Sequence, residues 1–312
     1  MQVKKTKRRY RSVLNWALWA LLAQFILINI SASLHAYKLT HLRSPGPDTW
    51  RRLFSGVTLY RKVLTGKPSF PVSTVLLKTK NNIAVEAWYS RADSSFKGTV
   101  ILFHGLMGHK GLIADEAEAF RNFGYNVMMV DVRDHGNSGG RVTTMGYREA
   151  EEVKLAYDHI LQTGEKKIFL WGASLGAVEI IKAVSDYQLN PSGVIVEMPF
   201  LSLQSHLEGR ARMTGFPDQP FGFLTSFWIG VEQGFAGWRF RTPDYAKNVH
   251  CPVLMQYGNR DPLVLQYETN EIYEAISTTN KKLVTYNDAG HGSFLKHDPA
   301  TWNREVKAFL ND

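Results

Sequence analysis

Three patterns of apolar and polar positions follow one another along this chain of 312 residues. The first is continuous. Residues 13–30, VLNWALWALLAQFILINI, run for 18 positions without a charge. As a helix they would extend about 27 Å, close to the ~30 Å hydrocarbon core of a bilayer. Trp16 and Trp19 lie near one end, where indoles favour the membrane interface, and Asn15, Gln24 and Asn29 are polar but uncharged. The run exceeds the roughly 7–15 residues of a signal-peptide core, which favours an uncleaved signal anchor over residues 1–31. Two alternatives stand beside it. One is a cleaved leader, since Ser31, Ala32 and Ser33 follow the run, although no A-x-A site does. The other is a helix packed on the body.

The second pattern is amphipathic. Residues 48–64, DTWRRLFSGVTLYRKVL, mix Trp50, Leu53, Phe54, Val57, Leu59 and Tyr60 with four bases, and Asp48 is placed to cap a helix. Such a helix lies at a lipid interface or packs on the body with its arginines solvated. Residues 32–73 are read as a membrane-proximal linker.

From residue 74 the period becomes that of alternating strands and helices. Strands are predicted at 74–79, 83–90, 99–105, 126–133, 166–174, 192–200, 252–258 and 281–287. The first two are joined by the hairpin signal Lys80-Asn81-Asn82. Helices are predicted at 111–124, 143–164, 175–187, 266–276 and 301–310. This order predicts an α/β domain over 74–312, with a mostly parallel, eight-stranded sheet covered by helices on both faces. Ligands of such sheets bind beyond the carboxyl ends of the strands. Residues 201–249 interrupt the alternation with Phe216, Phe221, Phe223, Phe227, Trp228, Phe235, Trp238 and Phe240. That insertion is read as an aromatic lid over the site, with an ordinary packing excursion as the alternative.

Charge changes the picture next. The net charge of +9 is unevenly placed. Residues 1–62 hold 12 bases and one acid, +11, whereas residues 63–312 hold 25 bases and 27 acids, −2. A nearly neutral body speaks against nucleic acid as a partner, because phosphate tracking needs bases on the folded surface. The basic start favours a cytoplasmic N-terminus and an extracytoplasmic body, although residues 31–62 are also basic and narrow the difference across the span. The single cysteine, Cys251, excludes an intrachain disulfide and a multi-cysteine zinc site, and its position before a buried strand suits a small core residue.

Candidate chemistry gathers at strand ends. Gly172-Ala173-Ser174-Leu175-Gly176 stands where a strand gives way to a helix, the context in which G-x-S-x-G presents a nucleophilic serine. Serine needs a base, and His291 in Asp288-Ala289-Gly290-His291-Gly292 follows the last strand. The base needs an orienting acid. Asp261 in Gly258-Asn259-Arg260-Asp261-Pro262 is the candidate, with Asp288 as its rival. Backbone N–H groups of Leu106, after His104-Gly105, and of Leu175 are placed to hold an oxyanion. His104, His109 and His135 do not make a metal-binding pattern, so no metal is expected there.

These motifs resemble those of the α/β-hydrolase superfamily over roughly residues 74–312. His104-Gly105 resembles its oxyanion loop, and Asp131-Val132-Arg133-Asp134-His135-Gly136-Asn137-Ser138 its D-x-R-x-H-G-x-S loop. The order Ser174, Asp261, His291 is the superfamily's own and favours Asp261 over Asp288. The chain is most similar to the serine aminopeptidase-like and monoacylglycerol-lipase-like branch. Asp134 departs from the glycine or alanine common at that position, and Ala173 from the histidine of many lipases. The resemblance implies a cofactor-free serine hydrolase with Ser174 as nucleophile, His291 as base and Asp261 as orienting acid. Together with the leader it implies a membrane-tethered enzyme acting on esters of hydrophobic or lipid-like acyl groups. Amide or thioester cleavage, acyl transfer, and an idle scaffold are the alternatives.

Overall fold

The computed structural model describes residues 2–42, 68–93, 96–215 and 217–311. The amphipathic segment 48–64 and Phe216 lie outside the described residues.

The eight predicted strands form one sheet: β1 (Ser73–Lys78), β2 (Ala84–Ser90), β3 (Thr99–Phe103), β4 (Asn126–Val130), β5 (Ile168–Ala173), β6 (Gly193–Glu197), β7 (Val253–Gly258) and β8 (Lys281–Tyr286). Their order across the sheet is β1-β2-β4-β3-β5-β6-β7-β8. The β1–β2 and β2–β4 pairs are antiparallel and all others are parallel. The strands end one to three residues short of several predicted limits, because the residues beyond them turn away to build the site.

Alternate strand residues face two separate helical layers, as a period of two requires. Ile101, Phe103, Met128 and Val130 pack against α3 (Ala150–Gln162), α4 (Leu175–Tyr187) and α8 (Gln266–Ala275). Val100, Leu102, Val127 and Met129 pack against α2 (Ala114–Asn122) and α9 (Pro299–Asn311). In that second layer Phe120 meets Trp302 edge to face at 5.5 Å. The predicted helix 143–164 starts only at Ala150. The Glu149 carboxylate draws in the preceding loop, accepting from the amides of Thr144 and Gly146 and from the hydroxyls of Thr143 and Thr144.

Segment 201–249 is largely helical: α5 (Leu203–Met213), α6 (Phe221–Gln233), a 3-10 turn at Gly237–Arg239, and α7 (Thr242–Ala246). Ser202 opens α5 with a reciprocal capping box to Ser205. Leu203, Leu207, Ile229 and Phe240 from this segment share a core cluster with Leu175 and Val178 of α4. The segment therefore packs over the carboxyl end of β5.

The leader forms α1 (Gln2–Thr40), which continues ten residues past the run that ends at Ile30. Its stretch Val13–Thr40 is long and apolar enough to cross a membrane. Trp16, Trp19, Phe25 and Leu27 are exposed, but Ala36 and Leu39 are buried in the same cluster as Leu175. This end of α1 packs along α6, where Trp228 Nε1 donates to Asn29 Oδ1 at 3.2 Å and Ser33 Oγ to Glu232 at 3.1 Å. Beyond the helix, Leu42 N donates to the Asp134 carboxylate at 2.8 Å. The aspartate that stood out in the sequence thus ties the leader to the 131–138 loop.

Candidate active site

Ser174 occupies the turn between β5 and α4 with φ 53° and ψ −111°, a conformation a non-glycine residue rarely adopts. Its neighbours explain how the turn closes. A Cβ on Gly176 would come within 2.3 Å of the Phe103 carbonyl oxygen, and one on Gly172 within 2.6 Å of Gly176 backbone. Both glycines are required by close backbone approach. The amide of Ser174 donates to the Glu197 carbonyl at 2.8 Å, which fixes the turn against β6.

His291 follows β8 and reaches back over the sheet. Its Nε2 lies 2.9 Å from Ser174 Oγ, and its Nδ1 lies 2.6 Å from Asp261 Oδ2. The other Asp261 oxygen accepts the amides of Leu263 at 2.8 Å and Val264 at 3.0 Å. The carboxylate is 4% exposed and receives three donors. The rival Asp288 is 65% exposed and pairs with Arg260 at 2.6 Å. Three side chains spread over 117 positions of sequence therefore form one relay, and Asp288 stands outside it.

Leu175 is the first residue of α4, so its amide is among the first-turn N–H groups that have no acceptor within the helix. Leu106 lies in a tight turn closed by Gly108 N donating to Gly105 O at 3.0 Å. The 131–138 loop holds that turn in place. Met107 N donates to His135 Nε2 at 3.1 Å, and His135 Nδ1 donates to the Arg133 carbonyl at 2.9 Å. Asp131 is wholly buried, pairs with Lys110 and accepts the amides of Lys110 and Asn137. Lys110 and the neighbouring His104 hold the Asp131 carboxyl below its ordinary pKa, against the opposing effect of burial. Arg133 pairs with Glu152 and braces the same loop from α3. Among the described residues no group of three His, Cys, Asp or Glu side chains is arranged to hold a metal ion. Burial raises the Cys251 thiol to about 12, which suits a core residue.

One feature escaped the sequence reading. Glu197, the last residue of β6, is 1% exposed. Its Oε1 accepts from Trp171 Nε1 at 3.0 Å, Trp302 Nε1 at 2.7 Å and Gln256 Nε2 at 3.1 Å. Tyr286 in turn donates to Gln256. Burial raises the Glu197 pKa to about 8, despite the indole N–H bonds that favour its charged form. The only signal was a lone acid inside the apolar run GVIVEMPF.

Known proteins share the sequence pattern and the fold. The sequence profile described as "Serine aminopeptidase, S33" matches residues 94–222, and that of the "Dienelactone hydrolase family" matches residues 235–309. The esterase Pf2001 of Pyrococcus furiosus superposes with a TM-score of 0.65 at 28% identity, covering 78% of this chain and 91% of that one. The chain is an α/β-hydrolase. Among curated relatives, this α/β-hydrolase is 23% identical over 191 residues to the lysophosphatidylserine lipase ABHD12 of Macaca fascicularis, covering 57% of this chain and 45% of that protein. It is 25% identical over 234 residues to the uncharacterized membrane protein YNL320W of Saccharomyces cerevisiae, covering 73% and 76%. The α/β-hydrolase chain spans about half the length of the ABHD12 relatives it matches.

Proposed function

We propose that this α/β-hydrolase is a membrane-tethered serine hydrolase that cleaves carboxylic esters of hydrophobic, lipid-like acyl groups. The observation that carries the reading is the relay Ser174 Oγ–His291–Asp261, with hydrogen-bond distances of 2.9 and 2.6 Å. In this reading His291 Nε2 takes the proton from Ser174 Oγ as that oxygen attacks the ester carbonyl. The carbonyl oxygen becomes an oxyanion held by the N–H groups of Leu106 and Leu175. Its collapse expels the alkoxide, which takes the proton from His291 and leaves an acyl-serine. Water, deprotonated by His291, then releases the acid and restores Ser174. Asp261 orients the imidazole through Nδ1 and stabilises its charged form.

The lipid-like substrate rests on two supports. Segment 201–249 lines the serine end of the sheet with apolar side chains, consistent with a lid, and the exposed apolar half of α1 would hold the body beside a bilayer. Relatives described as a lipase, an esterase and a membrane protein are in keeping with this. Residues 1–31 would anchor, 32–73 link, and 74–312 catalyse. The basic residues at the start of the chain favour a body outside the cytoplasm. A panel of chain-matched esters, amides and thioesters tests the reaction class. Esters are expected to turn over fastest, with Ser174→Ala lowering the rate at least about 1,000-fold. Amide turnover exceeding ester turnover, or an unaffected Ser174→Ala variant, would overturn the reading.

A further inference from the structure

Helix α5 brings two groups to the site that the proposed mechanism does not use. His206 and Arg210 are four residues apart and so share one helical face. The Arg210 guanidinium reaches Met107 Sδ at 3.9 Å, and Met107 directly follows Leu106 in the tight turn. His206 is 2% exposed, lies tilted against the Phe200 ring at 4.7 Å, and among the described residues has no partner for either ring nitrogen. The helix crosses the Asp261 loop at Gly209, where a Cβ would come within 2.4 Å of the Leu263 carbonyl oxygen. That close approach fixes the two side chains beside the relay.

The nearby charges are committed elsewhere. Glu208 accepts from Gln204 and Gln219, and Arg212 faces Asp218 at 3.6 Å. Among the described residues no carboxylate lies within 4.0 Å of Arg210. Burial lowers the pKa of Arg210, with no anion acting against it. Burial and the charges of Arg210 and His291 push His206 well below its ordinary pKa, so it stays a neutral imidazole with one N–H to donate. A partly buried cation with no counter-ion, next to an unpartnered imidazole, is a costly arrangement that an anionic ligand would relieve.

We infer that Arg210 and His206 form a subsite for an anionic oxygen group, phosphate or carboxylate, carried by the ester substrate beside its scissile bond. The inference rests on the ester-hydrolase reading of the Ser174 site. The guanidinium would grip two anionic oxygens, and His206 would donate to one of them.

The test is calorimetric binding to the full chain carrying Ser174→Ala, which leaves the esters intact. The three probes share one acyl chain: hexanoyl glycerol, hexanoyl glycerol phosphate and hexanoyl glycolate. At least one anionic ester is expected to bind about tenfold or more tighter than the neutral one. The stronger arm names the group as phosphate or carboxylate. Adding Arg210→Met should bring the ratio to about one, whereas Arg210→Lys should keep part of it. Raising NaCl from about 20 to about 500 mM should shrink the preference severalfold. Equal binding of all three probes, or a preference that survives Arg210→Met in a folded protein, would overturn the subsite. If Arg210→Met does not fold, a preference indifferent to both salt and Arg210→Lys does the same. Failure of the underlying reading looks different: the parent enzyme would leave every probe intact while the anionic preference remained.

Discussion

Asp261 and Glu197 stand at the carboxyl ends of adjacent strands, 4% and 1% exposed, yet their surroundings ask opposite things of them. Asp261 distributes three donors over both oxygens, and one of those donors is His291. That is a setting for an anion facing an imidazole. Glu197 gathers three N–H groups on a single oxygen and leaves Oε2 without a partner among the described residues. Burial then raises it to about 8, so at neutral pH it is mostly a neutral acid. Depth alone does not assign a role to a carboxyl group; the placement of donors does.

The largest effect that could break this comparison is on turnover. Asp261→Asn keeps the shape but loses the charge and favours the wrong imidazole tautomer. It is expected to lower ester kcat/KM by roughly 1,000- to 10,000-fold, and a loss under tenfold would remove Asp261 from the relay. Glu197→Gln, measured in the same assay, is expected to stay within about tenfold of the parent.

Glu197 should instead register in stability. Its native pKa is raised above the unfolded value of about 4.5, so the folded state holds the proton more tightly. The resulting stabilisation is complete below the unfolded pKa and is lost as pH rises through about 8. Denaturant titrations at pH 6 and pH 9 should show the parent weakening, with Glu197→Gln weakening less, by on the order of 2–4 kcal/mol. Identical pH slopes for the two proteins would contradict the neutral-acid assignment.

Two further carboxylates sharpen the contrast at smaller scale. Asp134 accepts the Leu42 amide, so Asp134→Ala should cost about 1 kcal/mol in a denaturant titration of the full chain. Asp288 is exposed and paired with Arg260, so Asp288→Asn should change kcat/KM by less than about twofold. A large loss there would return Asp288 to contention as the orienting acid.

What could be read from the sequence follows from how far each signal travels. The strands were legible because each is a short apolar run bounded by turn residues, and β3 and β7 are buried along their whole length. Ser174, Asp261 and His291 were legible as candidates because each follows such a run, where a parallel sheet gathers its ligands. Helix α3 was placed too early because the pattern hid a loop: Met145 has φ 57°, and the Glu149 side chain satisfies backbone amides before the helix begins. The Glu197 network joins residues up to 105 positions apart, and no local pattern announces it. His206 and Arg210 carried no local signal within the aromatic segment 201–249, because it is the Gly209 crossing that places them against the Asp261 loop. The leader's continuation to Thr40 was hidden because the apolar run gives way at Ser31 to polar positions, while Ala36 and Leu39 beyond it are buried in the core cluster and His35 meets Phe221 of α6 at 5.1 Å.

The central claim is that Ser174 is a nucleophile activated by His291. A fluorophosphonate probe applied to the full chain, followed by peptide mass spectrometry, tests it directly. The account predicts one phosphonyl group on the peptide containing Ser174, absent from Ser174→Ala and strongly reduced in His291→Ala. Labelling at another residue, or equal labelling of Ser174→Ala and the parent, would contradict it.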